Sequence, residues 1–141
     1  MKFDEFIIGQ IYKSDMCKLT KEDIIGFAEQ FDPQYMHVNE VKANESSFNG
    51  IIASGIHTLS ISFKLWVELG IYGDDIIAGT GMNNIRFTKP VYPSDKLHVT
   101  AKVIGKKELK KDTGIVTVLL TTYNDRNEKV FKGDLSALIR R

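Results

Sequence analysis

The sequence has little of what a disulfide-stabilised, membrane-anchored or nucleic-acid-binding protein needs. One cysteine, Cys17, in 141 residues cannot form an internal disulfide, and this scarcity agrees with a reducing compartment. No segment approaches the ~18 consecutive apolar residues of a membrane span. The 19 Lys and Arg residues nearly balance the 18 Asp and Glu residues. Without a strongly basic surface, neither a nucleic acid nor an anionic membrane is an expected partner.

Linker-like sequence is also absent. The chain has three prolines, no internal repeat and no low-complexity tract. A core in a chain of this length buries roughly two thirds of the surface that the unfolded chain exposes. We therefore expect a single domain over residues 1–141.

The N-terminal residues bear on the location of the protein. Asp4 and Glu5 stand where a signal peptide would be apolar, and this favours a cytoplasmic location.

The first half of the chain has helical signals. Thr20–Asp23 resembles a capping box, and apolar residues then recur at helical spacing. This helix is expected to end at Asp32, because the residue before a proline is disfavoured in the α conformation. A loop is predicted over residues 32–37, followed by a short helix capped by Asn39. Residues 54–69 fit both a helical stripe and strand alternation, and their length without a turn signal favours a buried helix.

The second half has strand signals. Alternating or continuous β-branched and apolar residues predict strands at 76–87, 97–103, 115–123 and 130–139. Short connections between successive strands predict an antiparallel meander. Helices followed by strands indicate an α+β fold, in which a long apolar helix packs on an antiparallel sheet.

Asp32 and His37 are the candidate acid–base pair. They lie five positions apart in the predicted loop, where a scaffold holds side chains in reach of a ligand. A carboxylate and an imidazole can share proton transfer. On spacing alone a structural interpretation is the more common one, in which Asp32 ends a helix and His37 is an ordinary loop residue.

Ser54 and Gly55 precede the long predicted helix. The free amides of a first helical turn suit a developing oxyanion, and glycine allows a ligand to approach the backbone closely. The alternative is that Ser54 only caps the helix and Gly55 only relieves crowding. His57, one turn inside that helix, is expected to be a packed, hydrogen-bonded histidine. No His or Cys cluster has metal-ligand spacing, and no phosphate-binding fingerprint is present, so no metal or other cofactor is expected.

Three stretches, in order, resemble the signature sequences of MaoC-like dehydratases, a family that includes the (R)-specific enoyl-CoA hydratases. They are FAEQFDPQYMH at 27–37, FNGIIASG at 48–55 and IRFTKPVYPSD at 85–95. The similarity covers roughly residues 8–105 and continues in strand pattern to the end. Two departures stand near the candidate residues. Pro33-Gln34-Tyr35-Met36 replaces the usual Asn-Pro loop, and Ser54 replaces the usual histidine before the glycine.

The resemblance implies a hot-dog fold, in which a long antiparallel sheet wraps a central helix, and a homodimer whose sheets join. By position, Asp32 and His37 match the catalytic residues of the family. Gly55 matches the glycine whose amide polarises the thioester carbonyl, with Ser54 beside it in the substrate site. The implied reaction is reversible addition of water to a trans-2-enoyl thioester of CoA or of acyl carrier protein, giving a 3-hydroxyacyl thioester.

Two other functions stay open at this point. Acyl-CoA thioesterases also use the hot-dog fold, but they typically place a carboxylate on or just before the central helix. The only acidic residue in 54–69 is Glu68, near the far end of that helix, which argues against a thioesterase. The second alternative is a non-catalytic acyl-thioester-binding module, in which Asp32 and His37 are structural.

Overall fold

A computed structural model describes all of residues 1–141. The helices are α1 (Lys21–Phe31), α2 (Tyr35–Val38), α3 (Glu40–Glu45) and α4 (Gly55–Glu68). The strands are β1 (Ile11–Lys13), β2 (Cys17–Lys18), β3 (Ile76–Phe87), β4 (Lys96–Lys110), β5 (Thr113–Tyr123) and β6 (Lys129–Arg140). None of the helices combines the length and the hydrophobicity of a membrane-spanning segment.

Helix α1 begins and ends where its sequence predicts. Thr20 Oγ1 accepts a hydrogen bond from the Asp23 N–H at 3.1 Å, and Asp23 Oδ2 accepts one from the Thr20 N–H at 3.4 Å. This reciprocal pair satisfies two amides that a helix start leaves free. Asp32 leaves the helical conformation immediately before Pro33, with φ −155°. The end of α1 therefore fixes the position of the Asp32 carboxylate.

The predicted loop over residues 32–37 is wrong in part. Tyr35–Val38 forms one helical turn, α2, closed by a hydrogen bond from the Asn39 N–H to the Tyr35 carbonyl at 2.9 Å. A single turn contains too few apolar positions to produce a periodic signal in the sequence. The short helix capped by Asn39 is confirmed, since Asn39 Oδ1 accepts from the Lys42 N–H at 3.0 Å.

The strands form an antiparallel sheet in the order β1-β4-β5-β6-β3, and β2 pairs with β4. The α+β prediction is confirmed. The predicted meander is correct for β4, β5 and β6 but wrong for β3, which pairs with β6 and not with β4. Pro90 and Pro93 stand in the connection between β3 and β4, and prolines lack the amide donors that a tight hairpin there would need.

Helix α4 packs on the inner face of this sheet. A cluster of 23 buried apolar residues forms the core, in which Trp66 of α4 is 1% exposed and Leu120 and Phe131 of the sheet are fully buried. The helix is also tied to β5, because Ser62 Oγ and Thr122 Oγ1 lie 2.5 Å apart. The prediction of a helix over residues 54–69 is therefore confirmed. Its predicted burial on most sides is wrong in this single chain, because only the face toward the sheet is buried, while Ile56, Phe63 and Val67 are exposed.

Candidate functional site

The structure brings Asp32 and His37 together. His37 Nε2 lies 3.3 Å from Asp32 Oδ2, and the two side chains are 7% and 13% exposed, respectively. Asp32 follows the last residue of α1 and His37 lies in the single turn of α2, so the short non-helical connection at Asp32–Gln34 brings the two side chains together. The pair is shielded from bulk water without being sealed.

The hydrogen bond made by His37 Nδ1 determines which nitrogen of the imidazole carries the proton. Nδ1 lies 2.7 Å from the Ile52 carbonyl oxygen, and because a carbonyl only accepts, Nδ1 is the donor. In the neutral imidazole, Nε2 then directs a lone pair toward Asp32. Two acceptors thus face each other, and a molecule with two protons, such as water, can donate to both.

Two further side chains hold the Asp32 carboxylate. The Ser54 hydroxyl donates to Oδ2 at 2.6 Å, and the Gln34 amide donates to Oδ1 at 2.7 Å. The Ser54 hydrogen bond lowers the pKa of the Asp32 carboxyl below its ordinary value; burial opposes this effect, and Gln34 and His37 add to it. Asp32 is therefore ionised at neutral pH and acts as an acceptor.

Ser54 fulfils two roles. It is fully buried, and its Oγ accepts from the Ile56 N–H at 3.3 Å as the cap of α4 while its hydroxyl proton goes to Asp32. One hydroxyl can donate once and accept as well. The interpretation of Ser54 as a helix cap is therefore correct, and its contact with the candidate site runs through Asp32.

Gly55 presents an unpaired amide at the start of α4. No carbonyl of the chain accepts a hydrogen bond from its N–H, which lies at the positive end of the helix dipole. A Cβ added at this position would lie 3.0 Å from the Phe87 ring, so glycine also relieves crowding. The interpretation that Gly55 relieves crowding agrees with the structure, and its role toward an oxyanion stays a prediction.

A cavity of about 320 Å³ lies beside His37 and Gly55. Its remaining wall is mainly apolar and includes Phe48, Ile52, Ala53, Phe87, Val91 and Val130. Asp32 is not part of the wall and meets the cavity through His37.

At the rim of the cavity, Lys89 forms an ion pair with Glu128. Together with Asn124 and Arg126, Lys89 lowers the pKa of Glu128 to about 2, so the charge of Lys89 is already neutralised.

His57 lies apart from this cavity. Its ring stacks on Phe27 of α1 at a centroid distance of 4.4 Å, and burial lowers its pKa while Asp23 opposes that shift. The expected packing of His57 is confirmed, but its expected hydrogen bond is wrong, because the buried Nδ1 has no partner. No three His, Cys, Asp or Glu side chains lie close enough together to hold a metal ion. The chemistry of the candidate site is therefore that of a carboxylate, an imidazole and a backbone amide.

Sequence reasoning did not predict three residues at the site. Gln34 holds Asp32, and Thr58 and Phe87 line the cavity. Thr58 could have been found from the sequence, because a residue three positions after Gly55 shares its helix face. Phe87 could not, because its approach to α4 depends on the pairing of β3 with β6.

The sequence profile of a protein family described as "MaoC like domain" matches residues 5–124. The chain belongs to the MaoC-like family. The "Uncharacterized protein YdeM" of Bacillus subtilis (strain 168) is 60% identical over 141 residues, which is 100% of both chains. The "3-hydroxyacyl-thioester dehydratase Z" of Mycobacterium tuberculosis (strain CDC 1551 / Oshkosh) is 28% identical over 122 residues, 85% of this chain and 81% of that protein.

A solved structure, the MaoC-like dehydratase from Rhodospirillum rubrum, is 31% identical and superimposes with a TM-score of 0.92 over 100% of this chain and 97% of that chain. The sheet and α4 of this MaoC-like chain therefore form a hot-dog fold, as the sequence resemblance implied. The two departures from the MaoC-like signature meet in the structure, because Gln34 and Ser54 both donate to the Asp32 carboxylate.

Proposed function

We propose that this chain is an acyl-thioester hydratase/dehydratase, with residues 1–141 forming one MaoC-like domain. It would reversibly add water to a trans-2-enoyl thioester of CoA or of acyl carrier protein and give a 3-hydroxyacyl thioester, without a cofactor. The main support is the facing pair of acceptors on Asp32 and His37, beside the unpaired Gly55 amide and an apolar cavity. The similarity to the 3-hydroxyacyl-thioester dehydratase Z of Mycobacterium tuberculosis supports the same class.

Addition of water begins at Asp32 and His37. A water molecule donates one hydrogen bond to Oδ2 and one to Nε2, which directs its oxygen toward C3 of the enoyl group. As the C–O bond forms, one water proton passes to the acceptor pair, where Nε2 and Oδ2 are close enough to share it. The partly buried Asp32 carboxylate would stabilise the imidazolium that results.

Gly55 would act on the other end of the conjugated system. The electrons of the C2–C3 double bond move toward the thioester carbonyl, and the oxygen gains negative charge. The Gly55 N–H donates to that oxygen, helped by the positive end of α4. The acceptor pair then returns a proton to C2, so that one water is added in total. The same steps in reverse dehydrate a 3-hydroxyacyl thioester.

Thioester hydrolysis has less support from the site. No acidic residue lines the cavity. Glu68, the acidic residue of α4, is exposed at the far end of the helix, where its carboxylate lies 3.5 Å from Lys64. A thioesterase would need a carboxylate close to the thioester carbonyl, next to Gly55. The hydratase interpretation uses the groups that line the cavity and the carboxylate directly behind them.

The decisive experiment follows the absorbance of a panel of trans-2-enoyl-CoA thioesters while free thiol is measured in parallel. Loss of absorbance without thiol release, abolished in Asp32→Asn, supports the hydratase and ranks its acyl chains. Release of thiol would assign a thioesterase. If neither signal changes while the thioesters still bind, the chain is an acyl-thioester-binding module.

Ser54→Ala tests how the Asp32 charge is maintained. Because the Ser54 hydroxyl lowers the Asp32 pKa, its removal raises that pKa and leaves less of the carboxylate ionised at mildly acidic pH. The acidic limb of the kcat/KM profile should therefore move to higher pH, while the rate at pH 8 changes less. Loss of the helix cap should also cost about 1 kcal/mol of stability.

Ser54→Thr is the matched control, since it keeps a hydroxyl and should keep the pH profile near that of the native chain. If Ser54→Ala lowered only the melting temperature and left the acidic limb in place, Ser54 would be a helix cap without a positioning role.

We also propose that the chain acts as a homodimer joined through β3. This strand is at the end of the sheet, so one of its edges has no partner strand. Ile77, Met82 and Phe87 on it are 46%, 46% and 53% exposed. A long, apolar free edge favours pairing with a second strand, and two identical edges can pair around a two-fold axis. Since Phe87 lines the cavity, such pairing would also cover one side of the site.

The combined substitution Ile77→Lys and Met82→Lys should separate the dimer and lower activity, because lysines on a free edge oppose strand pairing. Light scattering during gel filtration should give twice the mass of one chain for the native protein and the mass of one chain for the variant. Leu109→Lys, at another exposed apolar position, is the control and should stay dimeric. A native protein that elutes with the mass of one chain would contradict the proposed dimer.

A further inference from the structure

The polar side chains around the cavity differ in whether they have partners. Thr88 Oγ1 donates to a backbone carbonyl of β6 at 2.6 Å. Lys89 is paired with a carboxylate of the β5–β6 turn. His37 Nδ1 donates to the Ile52 carbonyl, and its Nε2 belongs to the acceptor pair with Asp32 described above. Thr58 is the remaining polar side chain of the wall, and no hydrogen bond within the chain engages its hydroxyl.

The Thr58 hydroxyl is open to the cavity. The residue is 3% exposed, yet its hydroxyl behaves differently from its neighbours on α4, since Ser60 and Ser62 each donate to the carbonyl four residues earlier, at 2.9 Å and 2.7 Å. The buried side-chain polar atoms that lack a partner and are sealed from solvent are His57 Nδ1, Trp66 Nε1 and Thr113 Oγ1. Thr58 Oγ1 is unpaired but is not one of these sealed atoms, so it faces the cavity that its side chain lines.

The position of Thr58 on α4 places it near the fourth carbon of a bound enoyl group. Thr58 stands three positions after Gly55, so the two share one face of α4 with ~5–6 Å between neighbouring side-chain positions. In the proposed reaction the thioester carbonyl oxygen is held by the Gly55 N–H. The fourth carbon of the enoyl chain lies three bonds beyond the carbonyl carbon, within reach of a side chain one turn further along the helix.

We propose that Thr58 is a specificity-determining residue and that the enoyl thioester used by this chain carries a hydrogen-bonding oxygen on C4. This inference rests on the proposed function. An acyl chain made only of CH₂ and CH₃ groups would bury the Thr58 hydroxyl against apolar atoms without a partner, which is unfavourable. A substrate hydroxyl would restore the missing hydrogen bond, and sites built in this way discriminate strongly against analogues that lack the polar group.

The test compares two thioesters of equal size that differ by OH or CH₃ on C4, namely 4-hydroxy-trans-2-butenoyl-CoA and trans-2-pentenoyl-CoA. The native chain should prefer the hydroxylated compound by tenfold or more in kcat/KM. Thr58→Val, which keeps the shape of the side chain, should reduce this ratio to about one. Thr58→Ser should retain the preference, and Thr100→Val on β4, outside the cavity, should leave both rates unchanged.

A parallel calorimetric titration with the saturated pair, 4-hydroxybutanoyl-CoA and pentanoyl-CoA, needs no turnover and should show the same preference and its loss in Thr58→Val. Equal affinities and rates for the two compounds in the native chain, or a preference unchanged in Thr58→Val, would overturn the assignment of Thr58. Hydration of either compound would still support the proposed function in that case. If no enoyl thioester were hydrated, the proposed function would fail, and the titration would decide the role of Thr58 separately.

Discussion

Asp32→Asn is expected to lower kcat/KM for hydration by about 10³-fold, because general acid–base catalysis contributes roughly 10²–10⁴-fold. The amide has the shape of the carboxylate, and its oxygen can still accept from Ser54. It cannot take up a proton from water at neutral pH. His37→Asn should cause a comparable loss, since its amide can still donate to the Ile52 carbonyl but no basic nitrogen replaces Nε2. Enoyl-thioester absorbance measures both effects.

Stability measurements separate this loss from a structural role. Both variants should unfold near the native melting temperature, because Asp32→Asn keeps an accepting oxygen for the buried Ser54 hydroxyl and His37→Asn keeps a donor for the Ile52 carbonyl. Asp15→Asn removes the same charge from an exposed residue of the β1–β2 connection and should change neither rate nor stability. If activity and melting temperature fell together in Asp32→Asn and His37→Asn, the two residues would be structural, as the sequence spacing alone also allowed.

Gly55→Pro is expected to lower kcat/KM by about 10²–10³-fold relative to Gly55→Ala, the range found when one oxyanion donor is lost. Proline has no N–H and is well tolerated at the first position of a helix, where Gly55 lies. Ser54 has φ −56° and ψ 141°, a conformation that a residue before proline can adopt. Alanine adds the same Cβ near Phe87 and keeps the amide, so the comparison isolates the N–H.

The kinetic pattern gives a second check on Gly55. An N–H that binds mainly the developing oxyanion affects the transition state more than the bound substrate, so Gly55→Pro should lower kcat with little change in the affinity for a saturated thioester. Equal activities of the proline and alanine variants would assign the role of Gly55 to the space it leaves beside Phe87 and remove its amide from the mechanism.

The sequence predicts the elements of this fold better than their pairing. The capping box at Thr20 and the strand Ile76–Phe87 are correctly predicted because local residues determine them. The pairing of β3 with β6 depends on contacts between strands far apart in the chain, and no local pattern encodes them. Hydrophobic periodicity also misses α2, whose single turn is defined by two neighbouring helices and a proline.

At the site, the sequence identifies the reacting groups better than their surroundings. The spacing of Asp32 and His37 permits their approach, and the family resemblance selects them among many similar pairs. The partners of the Asp32 carboxylate become visible only when α1, α2 and the start of α4 meet. The same is true of the open Thr58 hydroxyl, because the sequence does not reveal which serines and threonines of a helix bond to its own backbone.

The double engagement of Ser54 restricts which amino acids position 54 can hold. A helix start alone accepts serine, threonine, asparagine, aspartate or glycine. Beside Asp32, an aspartate would add a second negative charge that disfavours ionisation, and glycine would provide no hydroxyl proton. The Oγ atom of Ser54 accepts from the Ile56 N–H and donates its proton to the Asp32 carboxylate. Among short side chains, only one with a hydroxyl can do both through a single atom. In this chain, fewer amino acids can therefore replace Ser54 than the helix start alone or the contact with Asp32 alone would allow.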